Sequence, residues 1–175
     1  MIRGKMLARD EIEDIWNIDR SEVIDAVYYL EGGELVLKQE RYALHGWPAG
    51  ESEMYRPILE ACHDAGGWFH GLFDNDRLIG IAVLENRFMG KAGDTLQLKF
   101  LHVSRAYRDQ GLGRRLFDLA AGEARRRGAG RMYISATPSE HTIGFYLRRD
   151  CKVTLDPDPE LFALEPEDIH LECEL

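Results

Sequence analysis

The sequence predicts an α/β fold around a central, mixed but mostly antiparallel sheet, and three observations support this. Short apolar runs over residues 68–103 are separated by turn-forming residues, as in a meander. Helical periodicity takes over from Leu112, behind a glycine-rich loop. Strand-like and helix-like segments then alternate to the C-terminus.

The elements follow in order. Ile12, Ile15 and Trp16 recur at helical spacing after Asp10, a plausible N-cap, so residues 10–19 read as a helix. Tyr28-Tyr29-Leu30 and Leu35-Val36-Leu37 flank Gly32-Gly33 and read as a hairpin. Met54, Ile58, Leu59 and Cys62 suggest a helix over residues 52–64. Trp68 to Phe73, Arg77 to Glu85 and Thr95 to Val103 form the meander, with Asp74-Asn75-Asp76 as its first turn. Leu112, Leu116, Leu119, Ala120 and Ala124 share one helical face, and Arg125, Arg126 and Arg127 before Gly128 suit a helix C-terminus. Met132 to Ala136 reads as a strand, Ser139 to about Arg149 as a helix, and Cys151 to Leu155 as a strand that Asp156-Pro157-Asp158-Pro159 breaks. Ile169 to Cys173 alternates like a last strand.

Composition narrows the function classes. A chain of 175 residues, 45% hydrophobic and 30% charged, suits one core, so residues 1–175 read as a single domain. No apolar run nears the roughly 20 residues that span a bilayer. The basic N-terminus runs into acidic residues without a signal-peptide core, so the default expectation is a cytoplasmic protein that binds no membrane. A net charge of −9 weighs against a nucleic-acid partner and is compatible with a cationic one. Cys62, Cys151 and Cys173 are few, odd in number and far apart, which argues against a disulfide framework. Neither the cysteines nor the histidines show metal-ligand spacing, so no metal is expected.

The sharpest local signal is Arg108-Asp109-Gln110-Gly111-Leu112-Gly113, between a strand and an amphipathic helix. Glycines there let main-chain N–H groups turn toward one point, and the helix N-terminus adds a positive dipole, which together suit a pyrophosphate. Arg108, Arg114 and Arg115 could add charge. A P-loop would need Gly-Lys-Ser/Thr, which is missing. A dinucleotide fingerprint would need a third glycine where Leu116 stands, so an NAD-dependent oxidoreductase is disfavoured.

This segment resembles the acyl-CoA-binding signature of the GNAT N-acetyltransferases, Gln/Arg-x-x-Gly-x-Gly/Ala, through Arg108, Gly111 and Gly113. The order of elements over residues 68–175 is similar to that fold; the first 66 residues match it more loosely and would build the acceptor side. The resemblance implies a sheet splayed where acetyl-CoA enters, and pyrophosphate contacts from Arg108, Asp109, Gln110, Gly111, Leu112, Gly113 and Arg114. It also implies that Leu101, His102 and Val103 pair their main chain with the pantetheine arm. It implies transfer of an acetyl group to a primary amine of an unidentified acceptor. Homodimers are common in the family.

Within Ile143-Gly144-Phe145-Tyr146-Leu147, the resemblance makes Tyr146 the general acid toward the leaving thiolate; the alternative is that Ile143, Tyr146 and Leu147 simply form a core face. Ser139 stands where the family often has an asparagine touching pantetheine, and serine is equally a good N-cap. Gln97 stands where many members have a glutamate base, leaving Glu85, His102 and Asp94 as candidates through water. Tyr28, Tyr29, Tyr42, His45 and Trp47 would line the acceptor site or close a small core. The rival reading is a non-catalytic acyl-CoA-binding or protein-interaction module.

Overall fold

A computed structural model describes residues 1–175. In chain order the elements are β1 (Ile2–Met6), β2 (Glu22–Glu31), β3 (Glu34–Leu44), α1 (Glu51–Asp64), β4 (Trp68–Asp74), β5 (Arg77–Leu84) and β6 (Thr95–Val103). Then come α2 (Leu112–Arg126), β7 (Arg131–Ala136), α3 (Glu140–Leu147), β8 (Lys152–Val153), α4 (Pro159–Leu164) and β9 (Ile169–Glu174). Single 3-10 segments cover Arg9–Asn17 and Arg105–Tyr107.

Seven strands form one sheet in the order β1-β4-β5-β6-β7-β9-β8, and β2 and β3 form a separate ribbon. Every pairing in the sheet is antiparallel except β6 with β7. The fold is thus the expected mixed, mostly antiparallel sheet flanked by helices. The sheet is buried on both faces. Leu116, Ala120 and Ala124 of α2 and Ile143 of α3 pack with Ile79 and Leu96 on one side. Ile12 and Ile15 of the first 3-10 segment and Leu59 of α1 pack with Phe69 and Ile81 on the other.

Several expectations needed correction. β1 was not foreseen, because only its first residue is even half-buried and no alternation marks it. Residues 9–17 wind as a 3-10 helix rather than an α-helix. The ribbon is far longer than its apolar runs suggested, closed by Gly32 and Gly33, both with positive φ, in a two-residue turn. The Asp-Pro-Asp-Pro break also starts α4: Asp158 accepts from the amides of Glu160 and Leu161, and Pro159 opens the helix. Cys151 and Cys173 form a disulfide, against expectation. The pairing of Lys152 with Glu172 places the flanking cysteines opposite each other, a proximity that sequence spacing does not reveal.

Candidate active site

β6 and β7 run side by side only from Thr95 to Gln97, opposite Arg131 to Tyr133. Beyond that the two strands part. The gap opens a cleft of about 710 Å³, lined by Leu98 to Val103 on one wall and Ile134 to Thr137 on the other.

One end of the cleft is the loop before α2. Asp109 and Gly111 both have left-handed backbone, with φ of 60° and 77°. Alternating left-handed turns of this kind gather successive N–H groups into an anion-binding concavity. The amide of Arg108 donates to Arg105 O at 3.3 Å, and the first helical bond runs from Arg115 N to Gly111 O. None of the amides of residues 109–114 donates to a group within the protein. A Cβ at Gly111 would meet no atom within 4 Å, so the loop faces open space. This donor set fits a diphosphate. Arg114, Arg148 and Arg149 also line the cleft, the last with its guanidinium 3.6 Å from the Phe145 ring centroid.

The Arg108 side chain has another task than the phosphate contact expected of it. Its Nε donates to Val103 O at 3.0 Å, Nη1 to Ser21 O at 3.2 Å and Nη2 to Asp19 O at 3.3 Å. It therefore fastens the loop to β6 and to the segment before β2. Arg115 does not line the cleft.

On β6, Ser104 N donates to Ile79 O at 2.8 Å. By strand alternation the main chain of His102 then faces β5, and that of Leu101 and Val103 faces the splay. Two of the three residues expected to pair with pantetheine thus present main chain to the cleft, with Val103 O already accepting from Arg108. His102 lines the cleft beside the Trp47 and Phe100 rings, and burial holds its imidazole well below the usual range, helped by Arg20 and Arg108.

Tyr146 is 5% exposed and lines the cleft, and its hydroxyl has no partner within the protein. Burial pushes its phenol above the ordinary value, with a further push from Asp168. Of the two readings of Ser139 the structure bears out the N-cap: it is buried outside the cleft lining, donates to Thr142 Oγ1 at 2.9 Å and caps α3 through the Thr142 amide. Its hydroxyl is committed to the helix end.

Gln97 lines the cleft, buried and with no side-chain partner. Of the candidate bases, Glu85 pairs with Lys99 at 3.4 Å and Asp94 accepts from the Thr95 hydroxyl at 3.2 Å, both outside the lining. Of the named aromatics only Tyr42 lines the cleft; Trp47 packs edge-on to Trp16 and donates to Ile18 O at 2.9 Å.

The sequence reading missed the other end of the cleft. Arg20 and Glu51 form a half-buried ion pair at 3.2 Å, with the Trp47 ring 4.6 Å from the guanidinium. Tyr55 of α1 donates to Glu165, and Ser135 donates to Asp168 at 3.2 Å. Burial first, and the neighbouring Glu165 second, raise the Asp168 carboxyl to about 7. No group of three or more His, Cys, Asp or Glu side chains is placed to hold a metal, and no helix is long and apolar enough to cross a membrane.

Known proteins share this fold. Solved structures with the same fold include a nourseothricin acetyltransferase, at 20% identity and a TM-score of 0.71, over 99% of this chain and 98% of that one. A protein assigned as a streptothricin acetyltransferase from Bacillus anthracis, in complex with acetyl coenzyme A, superposes at 15% identity and a TM-score of 0.72, over 100% and 99%. PaiA N-acetyltransferase from Thermoplasma acidophilum, in complex with coenzyme A, gives 15% and 0.64, over 100% and 99%. No curated protein matches the sequence. The profile of the acetyltransferase (GNAT) family matches residues 33–151, a span that takes in the splay, the loop before α2 and Tyr146. The chain belongs to the GNAT family and is an acetyl-CoA-dependent acyltransferase.

Proposed function

We propose that the protein transfers an acetyl group from acetyl-CoA to a primary amine by direct attack in a ternary complex. The observation that supports this most is the set of unengaged amides at residues 109–114, of which Asp109, Gly111, Gly113 and Arg114 line the same cleft as the unpartnered Tyr146 hydroxyl, whereas Gln110 and Leu112 lie outside the lining. Residues 109–114 would hold the pyrophosphate, with Arg114, Arg148 and Arg149 adding charge. Leu101 and Val103 would hold the pantetheine arm by strand addition. Acetyl-CoA supplies the activated acetyl group as a thioester. A main-chain N–H of β6 would stabilise the negative charge that develops on the carbonyl oxygen.

Tyr146 would donate its proton to the departing sulfur. A phenol raised by burial stays protonated until a basic thiolate forms, which suits a general acid at neutral pH. Covalent transfer through cysteine is disfavoured. Cys62, the one free thiol, lies outside the cleft lining, and burial pushes it up to about 12. Gln97 in the place of a carboxylate is the feature that favours a non-catalytic acyl-CoA-binding module instead.

Calorimetry with acetyl-CoA, followed by thiol release with a panel of amines, separates these readings. The enzyme reading expects binding and release. Binding without release from any amine favours the module, and no binding at millimolar ligand defeats both. Tyr146→Phe is expected to lower kcat about 100-fold or more with little change in the KM for acetyl-CoA; turnover equal to wild type removes its acid role.

A further inference from the structure

The ion pairing at the far end of the cleft is uneven. Arg20 and Glu51 neutralise each other, and Lys99 is matched by Glu85. Glu165 and Asp168 remain. Each receives only a neutral hydroxyl, from Tyr55 and from Ser135. They sit close enough that Glu165 raises the Asp168 carboxyl; Glu165 also raises Glu51, and Tyr55 feels both carboxylates. Glu22 lines the same end, without an ion-pair partner. Asp168 feels Arg20, which Glu51 already pairs, so these half-buried carboxylates leave an excess of negative charge that a cationic ligand would offset.

A second observation supports a ligand in this space. Gln97 and Tyr146 are 8% and 5% exposed, line the cleft, and leave their polar side-chain atoms without partners in the protein. Their polar atoms are not sealed inside the protein but open on the cleft, where a ligand can reach them. Tyr146 also lies within electrostatic reach of Asp168, so the proposed acid and the carboxylate pair share one chamber.

Resting on the acetyl-transfer reading, we propose that the acceptor is an organic dication. Its reacting ammonium gives a proton to the Asp168 carboxylate, and its second positive charge is held by Glu165. The freed amine nitrogen attacks the thioester carbonyl; the new C–N bond forms as the C–S bond breaks. Tyr146 protonates the sulfur and recovers a proton from the new amide nitrogen. One proton is left on Asp168 and passes to solvent, so charge and atoms balance. Asp168 facing Arg20, Glu51, Tyr55, Glu165 and Tyr146 is poised for this exchange near neutral pH.

Three probes with the same reacting amine and different far ends test this: 1,5-diaminopentane, pentylamine and 5-aminopentanoate. The expected kcat/KM falls in that order, by about tenfold or more at each step. Glu165→Gln should bring the first two within about threefold of each other. Asp168→Asn should lower kcat/KM and remove an acidic limb centred near pH 7. Both variants should bind acetyl-CoA as wild type does. Equal use of the three amines, preference for the anionic one, no turnover of any, or an unchanged pH limb in Asp168→Asn would overturn the inference. Failure of the wild type to bind acetyl-CoA would instead overturn the reading beneath it.

Discussion

The two ends of the cleft are built by different means. The end assigned to the coenzyme uses main chain: six consecutive amides of residues 109–114 and the unpaired edge of β6 past Gln97. The opposite end uses side chains brought from distant places: Arg20 before β2, Glu51 and Tyr55 on α1, and Glu165 and Asp168 ahead of β9. Main-chain donors tolerate almost any side chain, so such a grip is compatible with wide sequence divergence, and the fold itself is shared with solved structures 15–20% identical to this chain. A side-chain chamber changes with every substitution. Under the proposed function the first end would take the co-substrate and the second the acceptor.

The contrast sharpens into predictions, the largest first. Arg108→Met removes three hydrogen bonds to main-chain oxygens and should destabilise the fold by about 2–4 kcal/mol in urea titration. A loss below about 0.5 kcal/mol would return Arg108 to a role in phosphate binding. Gly111→Val forces a β-branched residue into left-handed backbone, at a cost of about 1–2 kcal/mol. Acetyl-CoA affinity should fall about tenfold, with the diamine-to-monoamine preference kept. A changed preference would mean that the two ends are not separable.

Asp168 gives a stability test with a defined sign. Its carboxyl is raised to about 7 in the folded protein from an ordinary value of 3.8, so folding favours the protonated form. That contribution is complete below about pH 4 and is lost as pH rises through 7. Asp168→Asn should therefore melt higher than wild type at pH 8, by roughly 4 °C, and match it near pH 4. Ser139→Ala should cost about 1 kcal/mol through the lost cap of α3 and leave acetyl-CoA affinity unchanged. A weakened coenzyme would restore the pantetheine contact that the family resemblance implied.

The same contrast explains what the sequence revealed. Residues 108–113 are contiguous, and their glycines mark a backbone requirement that a linear reading detects. Tyr146 was named through the family resemblance of the Phe145-Tyr146 pair on the helix after Ser139. Asp168 did not, because it lies in an acidic stretch with Glu160, Glu165 and Glu167, and only the return of the chain along β9 selects it and Glu165. The Arg108 side chain, expected near the phosphates, is instead committed to main-chain oxygens, since an arginine's partners depend on folds of chain nearly ninety residues away. Cys151 and Cys173 met through strand register alone.

The central claim is that amides of residues 109–114 grip a diphosphate, and amide NMR during a coenzyme A titration reads those donors individually. The account predicts that the signals of Asp109 to Arg114 shift most and exchange more slowly with solvent once the coenzyme binds. Saturable binding that leaves these six signals in place, while others move, would contradict it.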